Sequence, residues 1–255
     1  MVDVLDWADY GEALGAAGSV LRGNAASAGL AARVPTCPDW TVADLVTHQG
    51  LVHRWAAGRL RGEPDRPDAD VEAEASGAPD LLDWFDEGLV DLLNALAKAP
   101  ADLSGNFFLL DAPPLRLAWA RRQAHETTMH AVDAMAARLG RPPMASEVWF
   151  DRAFALDGLD ELLTGFLPRP KYALTPAHPE RVLVAPADAE RAWLVELSQA
   201  GAVATRVVGE FPDADVTLGG SARALYLGLW NRGDEIVASD EGWLNGWQGR
   251  VRVTW

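Results

Sequence analysis

The stretch RRQAHETTMHAVDA, residues 121–134, decides how the first half of the chain folds. On a helix at about 100° per residue, Leu115, Trp119, Glu126, His130 and Asp133 fall along one stripe. Glu126 and His130 are four residues apart and only about 40° off line, so both can reach one ligand. His125 and His130 are five apart and diverge by about 140°, so they cannot easily share one. HETTMH therefore resembles the H-E-x-x-H string of zincins but has one residue too many. A glutamate and a histidine on an apolar stripe need a reason to be buried, because an unpaired buried carboxylate is costly. A divalent metal is one reason. The plainer alternative pairs Glu126 with Arg122 in water and leaves the histidines as packing residues. Two ligands from this helix plus one from another give a three-ligand site with an open position, the pattern of catalytic zinc. The third ligand must come from THQGLVH, residues 47–53, where His48 and His53 are both candidates. Both lie on the shoulders of that segment's apolar face, and helical geometry does not choose between them.

Working outward, four helical patterns fill the first 140 residues or so. The first is expected from about Val4 to Ser27, with Trp7, Tyr10, Leu14, Ala17 and Leu21 on one face. The prolines of VPTCPDW, residues 34–40, stop helix there, and Thr41 with Asp44 has capping-box spacing for the second helix, towards Leu60. Residues 63–80 are rich in acids and prolines and read as a solvated loop. The third helix is expected from about Asp80 to Lys98. The fourth runs from Pro114 in its first turn to Leu139, closed by Gly140 and Pro142. A fifth, roughly Ser146 to Phe166, leads to a proline-rich segment that suggests a domain boundary. Beyond it RVLV, RAWLVEL, AVATRVV and ADVTL have strand character, SARALYLGLWNRG reads as a helix capped by Ser221 and stopped by Gly233, and GRVRVTW as a last strand. The expected fold is α+β: a helical bundle over residues 1–166 and a small mixed α/β domain over 167–255.

The 255 residues carry a formal net charge of −15, from 37 acidic and 22 basic side chains. Such a surface disfavours nucleic acid and anionic lipid as partners. The one cysteine, Cys37, cannot form a disulfide within the chain and suits a reducing compartment. The start of the chain is acidic where a signal peptide is basic, and no window approaches ~18 uninterrupted apolar residues. The expectation is a cytoplasmic protein with no membrane partner, acting as a monomer or homodimer.

CPDWTVADLVTHQGLVHRW (37–55) and RRQAHETTMHAVDA together resemble the two signatures of the mycothiol-dependent maleylpyruvate isomerase-like proteins, within the DinB-like metalloenzyme superfamily. ADVTLGGSARALYLGLWNRGD (214–234) resembles that family's C-terminal domain. The resemblance covers nearly the whole chain. It implies a DinB-like four-helix bundle, a metal held by His48, Glu126 and His130, and Zn2+ or another divalent metal as that ion. It also implies mycothiol as thiol cosubstrate. A thiolate is the reactive form of a thiol; added to an electrophilic carbon it gives cis–trans isomerisation if it later leaves, and S-transfer if it stays.

Around these residues, Asp133 is expected to orient a ligand or to pair with an arginine on the surface. Arg232 is expected to bind a substrate carboxylate or to complement a helix C-terminus. Trp40 and Trp119 are expected to line the pocket, and Cys37 to be structural. Two other readings remain: a metal-dependent hydrolase using bound water, and a non-catalytic module whose metal only holds the bundle together.

Overall fold

The computed structural model describes residues 5–170, 176, 178 and 180–251, without the side chain of residue 248. They divide into two compact units, each described by itself. One comprises Leu5–Asn106 and Pro113–Pro143; the other comprises Phe107–Ala112 and the chain from Met144 onward.

The first unit is a bundle of four long helices. α1 (Trp7–Ala28) opens on a capping box in which Asp6 accepts from the amides of Ala8 and Asp9, and Asp9 returns the contact. It buries Tyr10, Leu14, Ala17, Leu21 and Ala25, at intervals of three and four. Val4 lies outside the described residues. A short antiparallel hairpin, β1 (Arg33–Val34) with β2 (Cys37–Thr41), occupies the segment where the prolines of VPTCPDW stop helix. α2 (Val42–Arg61) starts at the expected Thr41–Asp44 capping box and ends at Gly62, φ 73°. α3 (Asp68–Gly77) is a correction: the acidic stretch 63–80 contains a helix. Its Val71 and Ala75 are buried against Trp84 of α4, and Asp68 and Asp70 favour its positive N-terminal end. α4 (Leu81–Lys98) is capped by Asp80, and α5 (Leu115–Leu139) ends at Gly140, φ 71°.

α1 packs along α5, and α2 packs against both α4 and α5. The α2–α4 contact is close because glycines face it. A Cβ on Gly50 would lie 2.2 Å from the Trp84 ring. Arg54 locks the same crossing, with its guanidinium 3.7 Å from the Trp84 ring centroid and Nη2 donating to the Trp84 carbonyl at 2.7 Å.

The second unit carries the five-stranded mixed sheet, in the order β5-β4-β3-β6-β7. The four expected strand segments are β3 (Glu180–Pro186), β4 (Arg191–Ser198), β5 (Gly201–Val208) and β6 (Val216–Gly220). β3–β4 and β4–β5 are antiparallel, whereas β6 joins β3 in parallel, and β7 (Val237–Ala238) closes the other edge.

α6 (Arg152–Asp160) starts at its Asp151 cap, later than the expected Ser146, and runs into a π-helical turn, Glu161–Phe166. It belongs with this unit. Phe150 and Phe154 meet Tyr226 of α7 (Ala222–Leu229) edge to face, and a Cβ on Gly158 would fall 2.3 Å from the Tyr226 ring. The boundary therefore lies near residue 143, not near 166. Ser221 caps α7 as expected, but the helix stops at Leu229, because Asn231 turns left-handed at φ 61°, before Gly233 is reached. α8 (Glu241–Arg250), capped by Asp240, is a helix that the strand reading did not anticipate; of GRVRVTW, residues 252–255 lie outside the described residues. The fold is α+β. Among the described residues no helix is long and apolar enough to cross a membrane.

Gly50→Ala should cost ~1–3 kcal/mol of stability through overpacking against Trp84, read as a lower midpoint in urea unfolding. An unchanged midpoint would show that the α2–α4 spacing is not set there.

Candidate metal centre

α5 is not amphipathic in the ordinary sense. From Ala118 to Ala136 every residue is buried, including Arg121, Arg122, Gln123, His125, Glu126, His130 and Asp133. The expected single inward stripe is thus only part of a wholly enclosed helix, and each polar group on it needs a partner inside the protein.

One group of three side chains stands out. His48, Glu126 and His130 each turn a ligand atom to one point, and these atoms all lie within 4.8 Å of one another. Glu126 Oε1 faces His130 Nε2 at 3.3 Å and His48 Nε2 at 3.8 Å. Its other oxygen, Oε2, accepts from Arg122 Nη2 at 2.7 Å. Oε1 is buried and makes no well-directed hydrogen bond among the described residues. A buried anionic oxygen left in that state is costly, and a cation between it and the two imidazoles removes the cost. Nitrogen and oxygen ligands ~2.1 Å from a tetrahedral metal lie about 3.4 Å apart, close to the 3.3 and 3.8 Å that separate Glu126 Oε1 from the two imidazole nitrogens. The residues therefore fit a divalent metal.

Helical geometry correctly separated the histidines of α5. His125 is fully buried on another side of the helix, its ring edge-on to Tyr10 of α1. Helical geometry left His48 and His53 open, the family resemblance pointed to His48, and the structure brings His48 to the group. His48 is partly exposed and faces the cluster, whereas His53 is fully enclosed, with Nε2 2.9 Å from both Gln49 Nε2 and Thr127 Oγ1. Burial pushes His53 down to about 3, so it is neutral at ordinary pH.

The electrostatics follow from the same contacts. Burial alone would raise the Glu126 carboxyl, but the Arg122 charge and the two imidazoles outweigh it and hold the group well below the usual carboxylate range. Burial also opposes charge on His130, yet its contacts with Asp133 and Glu126 win and push it up to about 9. Burial lowers His48. In the metal-free protein a proton on His130 thus balances Glu126.

Asp133 Oδ2 accepts from His130 Nδ1 at 2.9 Å. It is not a surface carboxylate but a fully buried one. Trp40, on β2, stacks on the His130 ring at a centroid distance of 5.9 Å and lies tilted against the His48 ring at 4.9 Å. Trp119 lies two turns before Glu126 and packs edge-on against Trp55. Arg232 belongs to the other unit, where Nη1 donates to the Trp230 carbonyl at the end of α7. Sequence reasoning gave Arg122 a solvent-exposed pairing; it is fully buried, and its spacing of four from Glu126 was the available signal.

Arg122→Met should cost ~3–5 kcal/mol, because it strands a buried carboxylate. Chemical unfolding of the metal-free protein checks this, and a loss below about 1 kcal/mol would contradict the buried pair.

Comparison with known proteins completes the site. The sequence profile of the mycothiol maleylpyruvate isomerase N-terminal domain matches residues 12–135, and that of the C-terminal domain of the same proteins matches 153–243. No curated protein matches the sequence. Among the crystal structures that share the fold are the mycothiol-dependent maleylpyruvate isomerase and a histidine-to-alanine mutant of it. The first superposes with a TM-score of 0.60 at 15% identity and the mutant with 0.61 at 14%, each alignment covering 92% of this chain and 93% of the other. With both profiles matched over most of its length, the chain belongs to the mycothiol-dependent maleylpyruvate isomerase family.

Proposed function

We propose that this chain is a metal-dependent enzyme that uses mycothiol for cis–trans isomerisation of, or S-transfer to, a small electrophilic substrate. The observation that carries the metal is the convergence of His48, Glu126 and His130 on one point with Glu126 Oε1 unsatisfied. Family membership carries the thiol. Two imidazoles and a carboxylate suit zinc, which when bound supplies a Lewis acid with a free position that lowers the pKa of a thiol.

The chain's own residues do the rest. His48 and His130 present Nε2, and Glu126 supplies the balancing negative charge through Oε1 while Arg122 occupies Oε2. Asp133 orients His130 by accepting its Nδ1 proton. Trp40 packs against both rings, stacked on His130 and tilted against His48.

Metal analysis of protein purified without chelator should find about one zinc per chain. His48→Ala should lose it and His53→Ala should keep it; the reverse would sink the ligand assignment. Turnover should require an added low-molecular-weight thiol, and thiol-independent turnover would favour a hydrolase.

Metal binding must displace the proton that His130 holds up to about pH 9. Apparent zinc affinity should therefore rise about tenfold per pH unit from neutrality and level off above the His130 value. Calorimetry in buffers of different ionisation enthalpy should show a proton released per zinc bound. An affinity that does not change with pH would contradict this account.

A further inference from the structure

Asp133 lies on α5 less than one turn beyond His130 and is wholly buried. Donors from three side chains are among those that meet its carboxylate. His130 Nδ1 reaches Oδ2 at 2.9 Å, Thr36 Oγ1 donates to Oδ1 at 2.6 Å, and Cys37 Sγ donates to Oδ2 at 3.6 Å. Thr36 and Cys37 come from a different element, the β1–β2 hairpin: Thr36 sits in its turn and Cys37 opens β2. Trp40, further along the same strand, lies near-parallel to the His130 ring at 28°. The hairpin thus engages His130 twice, once at its Nδ1 edge through Asp133 and once on its face through Trp40.

A neutral imidazole can offer a lone pair at Nε2 only if Nδ1 carries the proton. The Nδ1–H···Asp133 bond selects that tautomer and fixes the plane of the ring. The carboxylate can do this only if it is itself held, and Thr36 and Cys37 of the hairpin both donate to it. Partners one step removed from a metal commonly change its affinity 10–100-fold.

We infer that the β1–β2 hairpin is a positioning device for the metal centre, in which Thr36 and Cys37 hold Asp133 and Asp133 holds His130 ready to ligate. The inference rests on the metal reading above. It gives the PTCPDW segment, residues 35–40, a task beyond linking two helices. Thr36, Cys37 and Asp133 are positioning residues, since none of them reaches the metal point.

The test is zinc affinity of the full chain, measured by competition with a chromophoric chelator after metal removal. Thr36→Val keeps the side-chain shape but deletes the hydroxyl, and should weaken zinc binding about threefold to tenfold. Thr36→Ser restores the donor and should bind within about twofold of wild type. Asp133→Asn should weaken binding about 10–100-fold. A role confined to tying the hairpin to α5 would lower the melting temperature of the metal-free protein without this pattern in affinity. Wild-type affinity in both Thr36→Val and Asp133→Asn would overturn the inference alone. A wild-type chain that takes up no zinc would overturn the metal reading, and the inference with it.

Discussion

The structure of the first unit turns on one buried carboxylate. Glu126 sits in the middle of a helix that is enclosed on every side. An ionised carboxylate in such surroundings is strongly disfavoured unless every lone pair is met. Arg122 meets one oxygen from the preceding turn, and two imidazoles from two helices face the other. This requirement explains why α2 and α5 must pack with His48 opposite His130. It also explains why the metal-free site keeps a proton on His130. The proton is a weaker stand-in for the dication that the geometry accommodates.

Around that group the bundle uses ordinary local devices. Capping boxes at Asp6 and Thr41 fix where α1 and α2 begin, so the ligand on α2 falls at a defined turn. Glycines at the α2–α4 crossing allow Trp84 to press against α2, and Arg54 closes that contact. The hairpin between α1 and α2 then brings Thr36, Cys37 and Trp40 to the same end of α5 as His130.

The elements that sequence reading missed have a common cause. α3 buries only Val71 and Ala75 and has no side-chain cap, so its helical state depends on Trp84. α8 contains Gly242, Gly246 and Gly249, which oppose helix; its Trp243 and Trp247 anchor it by donating to Glu180 and to the Leu229 carbonyl. The boundary slipped because α6 is apolar like a bundle helix, and its partner, Tyr226, lies far along the chain. In each case distant contacts outweigh local propensity.

Periodicity and caps by themselves determined the four long helices, the four main strands and the pairing of Glu126 with His130 to the exclusion of His125. Those features depend on spacings of two to four residues, and such spacings are written directly in the chain. Helical spacing left His48 and His53 open and family resemblance named His48; only the tertiary structure decided that Arg122 is a buried partner rather than a solvated one, and that Asp133 is held from the hairpin. Each of these joins residues on different elements or depends on what covers a helix from outside. A helical wheel gives the direction of a side chain but not what stands opposite it.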